Sequence, residues 1–231
     1  MPNYCQNSLE IKGKDSDVSK FTRECISLNI LNYSYTNDVI EEKYLDFNKI
    51  VPEPKDIGDN WYDWRLANWG TKWGSCDTYF FKVERLDSED NLKLTITFST
   101  AWCPPDKIYD ALIEKYKDTS LEFRVEYYEG GVGFAGHMEF TQGEITDNYY
   151  VQYYNDKDKA IEYYAYIIKH GHESLEYISD CIYEKLESED VEESIINKTI
   201  EEFDIYCDSG EIEKAAEMYV NIELELTEEV I

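Results

Sequence analysis

Glu173, Glu176, Asp180, Glu184 and Glu187 follow one another at three- or four-residue intervals. On a helix that spacing sets side chains in one row, with Cβ atoms about 5–6 Å apart. A row of carboxylates supplies no nucleophile. What it supplies is a line of negative charge, the feature that a cationic cleft built for a phosphate backbone accepts. Glu189, Asp190, Glu192 and Glu193, then Glu201, Glu202 and Asp204, extend the same supply. Like charges three or four residues apart destabilise a helix by a few tenths of a kcal/mol per pair, roughly 0.2–0.5. Their accumulation is therefore a local cost that solubility alone does not require.

A second cluster lies at residues 60–74, NWYDWRLANWGTKWG, which holds four of the five tryptophans. Trp61, Trp64, Arg65, Asn68 and Trp69 recur at helical spacing, and Gly70 ends the run. Such a face can stack a base, with Arg65 and Lys72 on a phosphate, and so serve a nucleotide- or RNA-binding sensor. It can equally fill the gap between an inserted helix and a sheet, each indole burying about 150–250 Å². Charge favours packing, because two local cations must compete with a whole-chain net charge of −28.

The remaining chemistry-bearing residues form no catalytic constellation. Cys5, Cys25, Cys76, Cys103, Cys181 and Cys207 are scattered without a CxxC pair and read as free thiols. A zinc site on Cys103, His137 and another cysteine is disfavoured against that reading. His170-Gly171-His172-Glu173 reads as a helix end carrying surface histidines. Gly130-Gly131-Val132-Gly133 lacks the following Lys-Ser/Thr of a phosphate loop and reads as hairpin glycines. No Ser-His-Asp or Cys-His arrangement can be placed. The expectation is a protein that is not an enzyme and takes no metal or cofactor.

The charge is uneven. Glu173–Ile231 holds about 20 acidic and about 3 basic residues, so roughly −17 of the −28 sits in this last quarter. Such a surface repels nucleic acid and acidic membranes and attracts basic proteins. No apolar run approaches the roughly 18–20 residues of a membrane span. The opening MPNYCQNSLEIKG lacks the basic and apolar segments of a signal peptide. A cytoplasmic location is expected.

These residues must be positioned by ordinary elements. Ser8–Ile11 alternates as a strand. Asp15 or Ser16 is placed to cap a helix over Val18–Leu28, with Val18, Phe21, Cys25 and Leu28 on one face. Asn29–Asn37 fits no single template. Thr78–Arg85 and Leu92–Ser99 form a hairpin, Cys103-Pro104-Pro105-Asp106 opens a helix, and Leu121–Tyr128 is a strand. Residues 132–140 and 144–152 make another hairpin. The order β-α-insert-β-β-α-β is the split βαβ, or ferredoxin-like, arrangement within an α+β fold. After Asp156 the period changes to helical through four segments, with Leu175, Ile178, Ile182, Ile195, Ile196, Phe203, Ala215 and Met218 as their apolar positions. Two domains are expected, 1–156 and an acidic helical 157–231.

Met1-Pro2-Asn3-Tyr4-Cys5-Gln6-Asn7, Phe47–Pro54, Trp61–Trp73, Phe98–Pro105, and Tyr127-Tyr128-Glu129 with Gly133–Gly136 together resemble the phage- and plasmid-encoded proteins called YubB-like, which carry a ferredoxin-like domain. The likeness covers roughly residues 1–150 and leaves the acidic tail outside. It implies a fold and a habitat in bacterial mobile elements, and it offers no enzyme activity. Combined with the acidic row, it leads to an expected role. The chain is read as a non-enzymatic anti-CRISPR or anti-restriction inhibitor, working in the host bacterial cytoplasm. It meets a basic nucleic-acid-binding host protein, such as a defence nuclease or ribonucleoprotein effector, and contacts no nucleic acid or membrane directly.

Overall fold

The structure is a computed structural model and describes residues 3–33, 38–86, 90–153, 156–189 and 191–228, with side chains left undescribed at 30–40 and 224–228. The chain divides into two compact units, Met1–Gly131 with Gly136–Tyr150, and Val132–Ala135 with Val151–Ile231.

In the first unit, β1 (Tyr4–Lys14) leads to α1 (Asp15–Cys25), and then to an inserted hairpin of β2 (Ile26–Tyr33) and β3 (Asp38–Leu45). Short α2 (Phe47–Ile50), a 3-10 turn at Gly58–Asn60 and α3 (Trp61–Trp69) complete the insert. β4 (Cys76–Arg85), β5 (Asn91–Ala101), α4 (Asp106–Lys115) and β6 (Glu122–Glu129) finish the motif, followed by β7 (Phe134–Thr141) and β8 (Glu144–Gln152). The six-stranded sheet runs β4-β5-β1-β6-β7-β8. Its first four strands are the second, third, first and fourth of the motif, and β1 pairs antiparallel with both β5 and β6. This is the ferredoxin-like arrangement, with β7 and β8 added beyond β6. The last hairpin turns at Gln142 and Gly143, both at positive φ (50° and 81°), as a two-residue turn between twisted strands requires.

Strand alternation decides what each sheet face can do. Leu9, Ile11, Leu94, Ile96, Phe98, Phe123 and Val125 are buried with Val18, Phe21 and Cys25 of α1 and Ile108, Tyr109 and Leu112 of α4. The central positions of the other face are Ser8, Glu10, Thr95, Thr97, Arg124 and Glu126. There Glu10 bridges Lys12 at 2.7 Å and Lys93 at 3.2 Å, and Arg124 pairs with Glu126 and Glu139. These hydroxyls and ion pairs are not the stacked aromatics with which sheets of this topology read RNA.

Two local expectations are corrected. α1 ends at Cys25, and Leu28 lies in β2 with 47% of its surface exposed. The run ISLNILNY alternates branched and polar residues, a strand period that takes over from the helical one. The Asn29–Asn37 stretch therefore supplies the end of β2, with residues 34–37 outside the described residues. Lys14 holds the N-cap position of α1 without a side-chain bond, and Asp15 and Asp17 sit in the first turn instead, where carboxylates favour the helix dipole.

The second unit comprises α5 (Lys157–His170), α6 (Leu175–Ser188), α7 (Glu193–Ser209) and α8 (Ile212–Glu228). α8 packs on α5, α6 and α7, and α6 also packs on α7. Their core is small, with Ile168, Ile178, Ile182, Phe203, Ala215, Ala216 and Tyr219 at its centre. Tyr153, which donates its backbone N–H to Gly133 at 3.1 Å, lays its ring 5.1 Å from that of Tyr163. Such contacts place 132–135 and the end of β8 with the helices, ahead of the sequence boundary at 156. Leu175 and Ile195, expected in this core, are 39% and 52% exposed. Leu175 is the first residue of α6, and Ile195 is turned about 100° from buried Ile196.

Candidate functional site

Ser174 starts α6, its Oγ accepting the Tyr177 backbone N–H at 3.0 Å. Glu173 therefore precedes the helix and does not join the row, which begins at Glu176. Glu176, Asp180, Glu184 and Glu187 are all exposed. At 3.6 residues per turn they fall within about 80° of arc and span about 16 Å of axis. Buried Ile178 and Ile182 lie on the opposite face. Core packing of α6 thus fixes the direction of the carboxylates.

α7 repeats the pattern. Glu193, Glu201 and Asp204, joined by Asp208, are exposed and share about 80° of arc, beside the buried face of Ile196 and Phe203. Ser179 of α6 donates to Asp204 Oδ1 at 3.5 Å, so the two helices touch beside their acidic rows. Glu202 faces away and accepts the Tyr206 hydroxyl at 3.0 Å. Glu189 and Glu192, at the C-cap of α6 and the N-cap of α7, are exposed, and Asp190 lies outside the described residues. Duplex DNA carries one charge per roughly 1.7 Å of axis. Four carboxylates over about 16 Å fall short of that, and only the two helices together approach it.

Because the α6 row repels itself, Asp180→Asn, Glu184→Gln and Glu187→Gln made together, which remove all its like-charge pairs and leave Glu176 in the first turn where it favours the helix dipole, are expected to stabilise the helical unit by about 1 kcal/mol at low salt. Urea unfolding followed by circular dichroism at 222 nm measures this, and the gain should shrink as salt screens the row. No gain would show that the charges are not aligned.

The tryptophan helix resolves differently. α3 ends at Gly70 in the left-handed region (φ 80°), where a Cβ would meet Asp106 Oδ1 at 1.8 Å. Trp69 is buried, its Nε1 donates to the Val51 carbonyl at 2.9 Å, and its ring meets Phe47 and Trp64 edge-on, each at 5.7 Å. Asn68 Nδ2 donates to the Trp64 carbonyl at 2.8 Å. The Arg65 guanidinium forks onto Glu53 at 2.9 and 2.7 Å and lies over the rings of Trp61 and Trp69 at 5.1 and 4.9 Å. The face of Trp61, Trp64, Arg65, Asn68 and Trp69 turns inward, and its one cation is already neutralised. The rings that face solvent are others, Tyr62 and Trp102, and Lys72 lies between them. Spacing alone did not signal Trp102, which follows directly after β5.

Burial raises the pKa of every cysteine, Cys5 well above its usual value and Cys76 and Cys207 to about 11. Thiols so protonated at neutral pH are poor nucleophiles. Cys103 Sγ donates to the Gly70 carbonyl at 3.0 Å, and His137 Nε2 lies 3.0 Å from Asp147 Oδ2. His170 and His172 stack with Tyr166 at 4.2 and 5.7 Å. Among the described residues no group of three or more His, Cys, Asp or Glu side chains is placed to hold a metal ion. Among them, too, no helix is long and apolar enough to cross a membrane.

Residues 78–168 match the model of a family described as the ferredoxin-like domain in Api92-like protein. The match runs from β4 into α5 and leaves out both the tryptophan helix and α6–α8. The crystal structure of a protein api92 from Yersinia pseudotuberculosis resembles the chain at 13% identity and a TM-score of 0.43, covering 68% of this chain and 99% of that one. No curated protein matches.

Proposed function

We propose that the helical unit binds a basic, nucleic-acid-binding protein and occupies the cleft in which that protein holds its polynucleotide. The observation that carries this reading is the exposed row Glu176, Asp180, Glu184 and Glu187, held outward by Ile178 and Ile182 in the core. Tyr177, 56% exposed, adjoins the row and offers an aromatic face to a partner's arginine. The resemblance to mobile-element proteins makes a defence nuclease, of restriction or CRISPR type, the natural target. The protein then acts as a competitor with no chemistry of its own.

The test starts from bacterial lysate proteins that bind DNA-cellulose, passed over the immobilised full chain at about 0.15 M salt. Retained protein should be released by short duplex DNA. It should not be retained by the Glu176→Gln, Asp180→Asn, Glu184→Gln, Glu187→Gln variant. A second variant, Asp56→Asn, Asp59→Asn, Asp63→Asn and Asp118→Asn, removes the same charge from exposed positions of the sheet unit and should retain normally. Equal loss in both variants would reduce the effect to net charge, and release by salt but not by DNA would exclude competition for the cleft.

A further inference from the structure

We propose that Lys72, Tyr62 and Trp102 form a binding site for a nucleoside monophosphate, in the sheet unit and independent of the acidic helices. The Lys72 ammonium lies 6.0 Å from the ring centre of Tyr62, 5.0 Å from that of Trp73 and 5.1 Å from that of Trp102. Tyr62 and Trp102 remain 36% and 39% exposed. With 50 acidic residues against 22 basic ones, carboxylates are the readily available partners here. Lys12, Arg65, Lys93 and Arg124 all take one. Lys72 is held by rings instead and makes no ion pair among the described residues. Its charge stays available to an incoming anion.

The surroundings fix this arrangement before any ligand arrives. Trp102 sits at φ 66°, a left-handed conformation that a bulky side chain adopts only when its neighbours impose it. On one side a hydrogen-bonded relay ties down the residues that flank it. The Tyr109 hydroxyl donates to Asn7 Oδ1 at 3.1 Å, Asn7 Nδ2 donates to Thr100 Oγ1 at 2.9 Å, and Thr100 Oγ1 donates to the Cys103 carbonyl at 2.7 Å. From the other side, Thr71 Oγ1 donates to the Ala101 carbonyl at 3.0 Å, and Cys103 Sγ to the Gly70 carbonyl at 3.0 Å. The two segments bearing Lys72 and Trp102 are thereby laced together, the preorganisation that lowers the entropic cost of binding.

The occupant follows from the chemistry. Exposed indole and phenol faces take a planar base, as in single-strand recognition. One ammonium takes one phosphate. The net charge of −28 penalises every further negative charge, which selects a mononucleotide over a polynucleotide.

Calorimetric titration of the full chain with adenosine 5′-monophosphate tests this, beside adenosine, inorganic phosphate and a ten-nucleotide oligoadenylate. Saturable binding is expected for the monophosphate, at least about tenfold tighter than for adenosine or phosphate alone, one decade being a modest contribution for one charge-assisted contact. Lys72→Gln should reduce the monophosphate to the affinity of adenosine. Trp102→Leu should weaken both. Both side chains are partly exposed, so the thermal unfolding transition should stay in place, and tryptophan emission verifies that the unit is folded. The proposal is overturned by absence of saturable binding, by equal affinity for adenosine and its monophosphate, by wild-type affinity in Lys72→Gln, or by tighter binding of the oligonucleotide.

Discussion

Trp69→Ala is expected to cost the sheet unit about 3–5 kcal/mol, the range for truncating a buried aromatic. Three losses add up at this position. The indole, 2% exposed, leaves a void between Phe47 and Trp64. The part-buried Val51 carbonyl loses the 2.9 Å bond from Nε1, a hydrogen bond of about 0.5–1.5 kcal/mol net. The Arg65–Glu53 pair loses one of the two rings that shield it. Trp69→Phe keeps much of the buried area and forfeits the hydrogen bond, so its cost should fall between wild type and alanine. Denaturant unfolding followed by the emission of the four remaining tryptophans measures both. A cost below about 0.5 kcal/mol, the scale of surface substitutions, would contradict the packing role.

That role was legible in part from spacing. The intervals among Trp61, Trp64, Arg65, Asn68 and Trp69 gave the shared face, and the chain charge argued that the face is turned inward. Spacing could not name Glu53 as the partner of Arg65, because the pair closes across the Pro52–Pro54 loop and the turn that follows it. The ferredoxin-like order was readable because β1, β5 and β6 alternate over most of their length, β4 is rich in β-formers despite an irregular register, and Cys103-Pro104-Pro105 marks where α4 begins. The inserted hairpin was not, since β2 follows α1 without a breaker and shares its branched residues. In the helical unit, Ile178, Ile182 and Phe203 were recognisable by period. Leu175 and Ile195 failed for a geometric reason, one lying at a helix tip and the other a single residue off the buried face. The Lys72 cluster brings in Trp102 from thirty positions beyond Lys72 and forty beyond Tyr62, a distance over which periodicity carries no information.

Phe203→Ala separates an ordered acidic surface from bulk charge. Phe203 is 0% exposed at the centre of a core with few large side chains, and its truncation should cost about 3–5 kcal/mol. Domains have about 5–15 kcal/mol in total, so a loss of this size brings a small helical unit close to unfolding. The molecule carries its own reporters. Trp61, Trp64, Trp69, Trp73 and Trp102 all lie in the sheet unit, while the helical signal at 222 nm comes largely from α5–α8. The expected result is a lowered and early-melting 222 nm signal with native tryptophan emission. The variant keeps every carboxylate and the full charge of −28. If an ordered row engages the partner's cleft, retention of the DNA-binding protein must fall with the helical signal. Should retention persist after the helices have melted, charge alone suffices, and the alignment of Glu176, Asp180, Glu184 and Glu187 has no part in recognition.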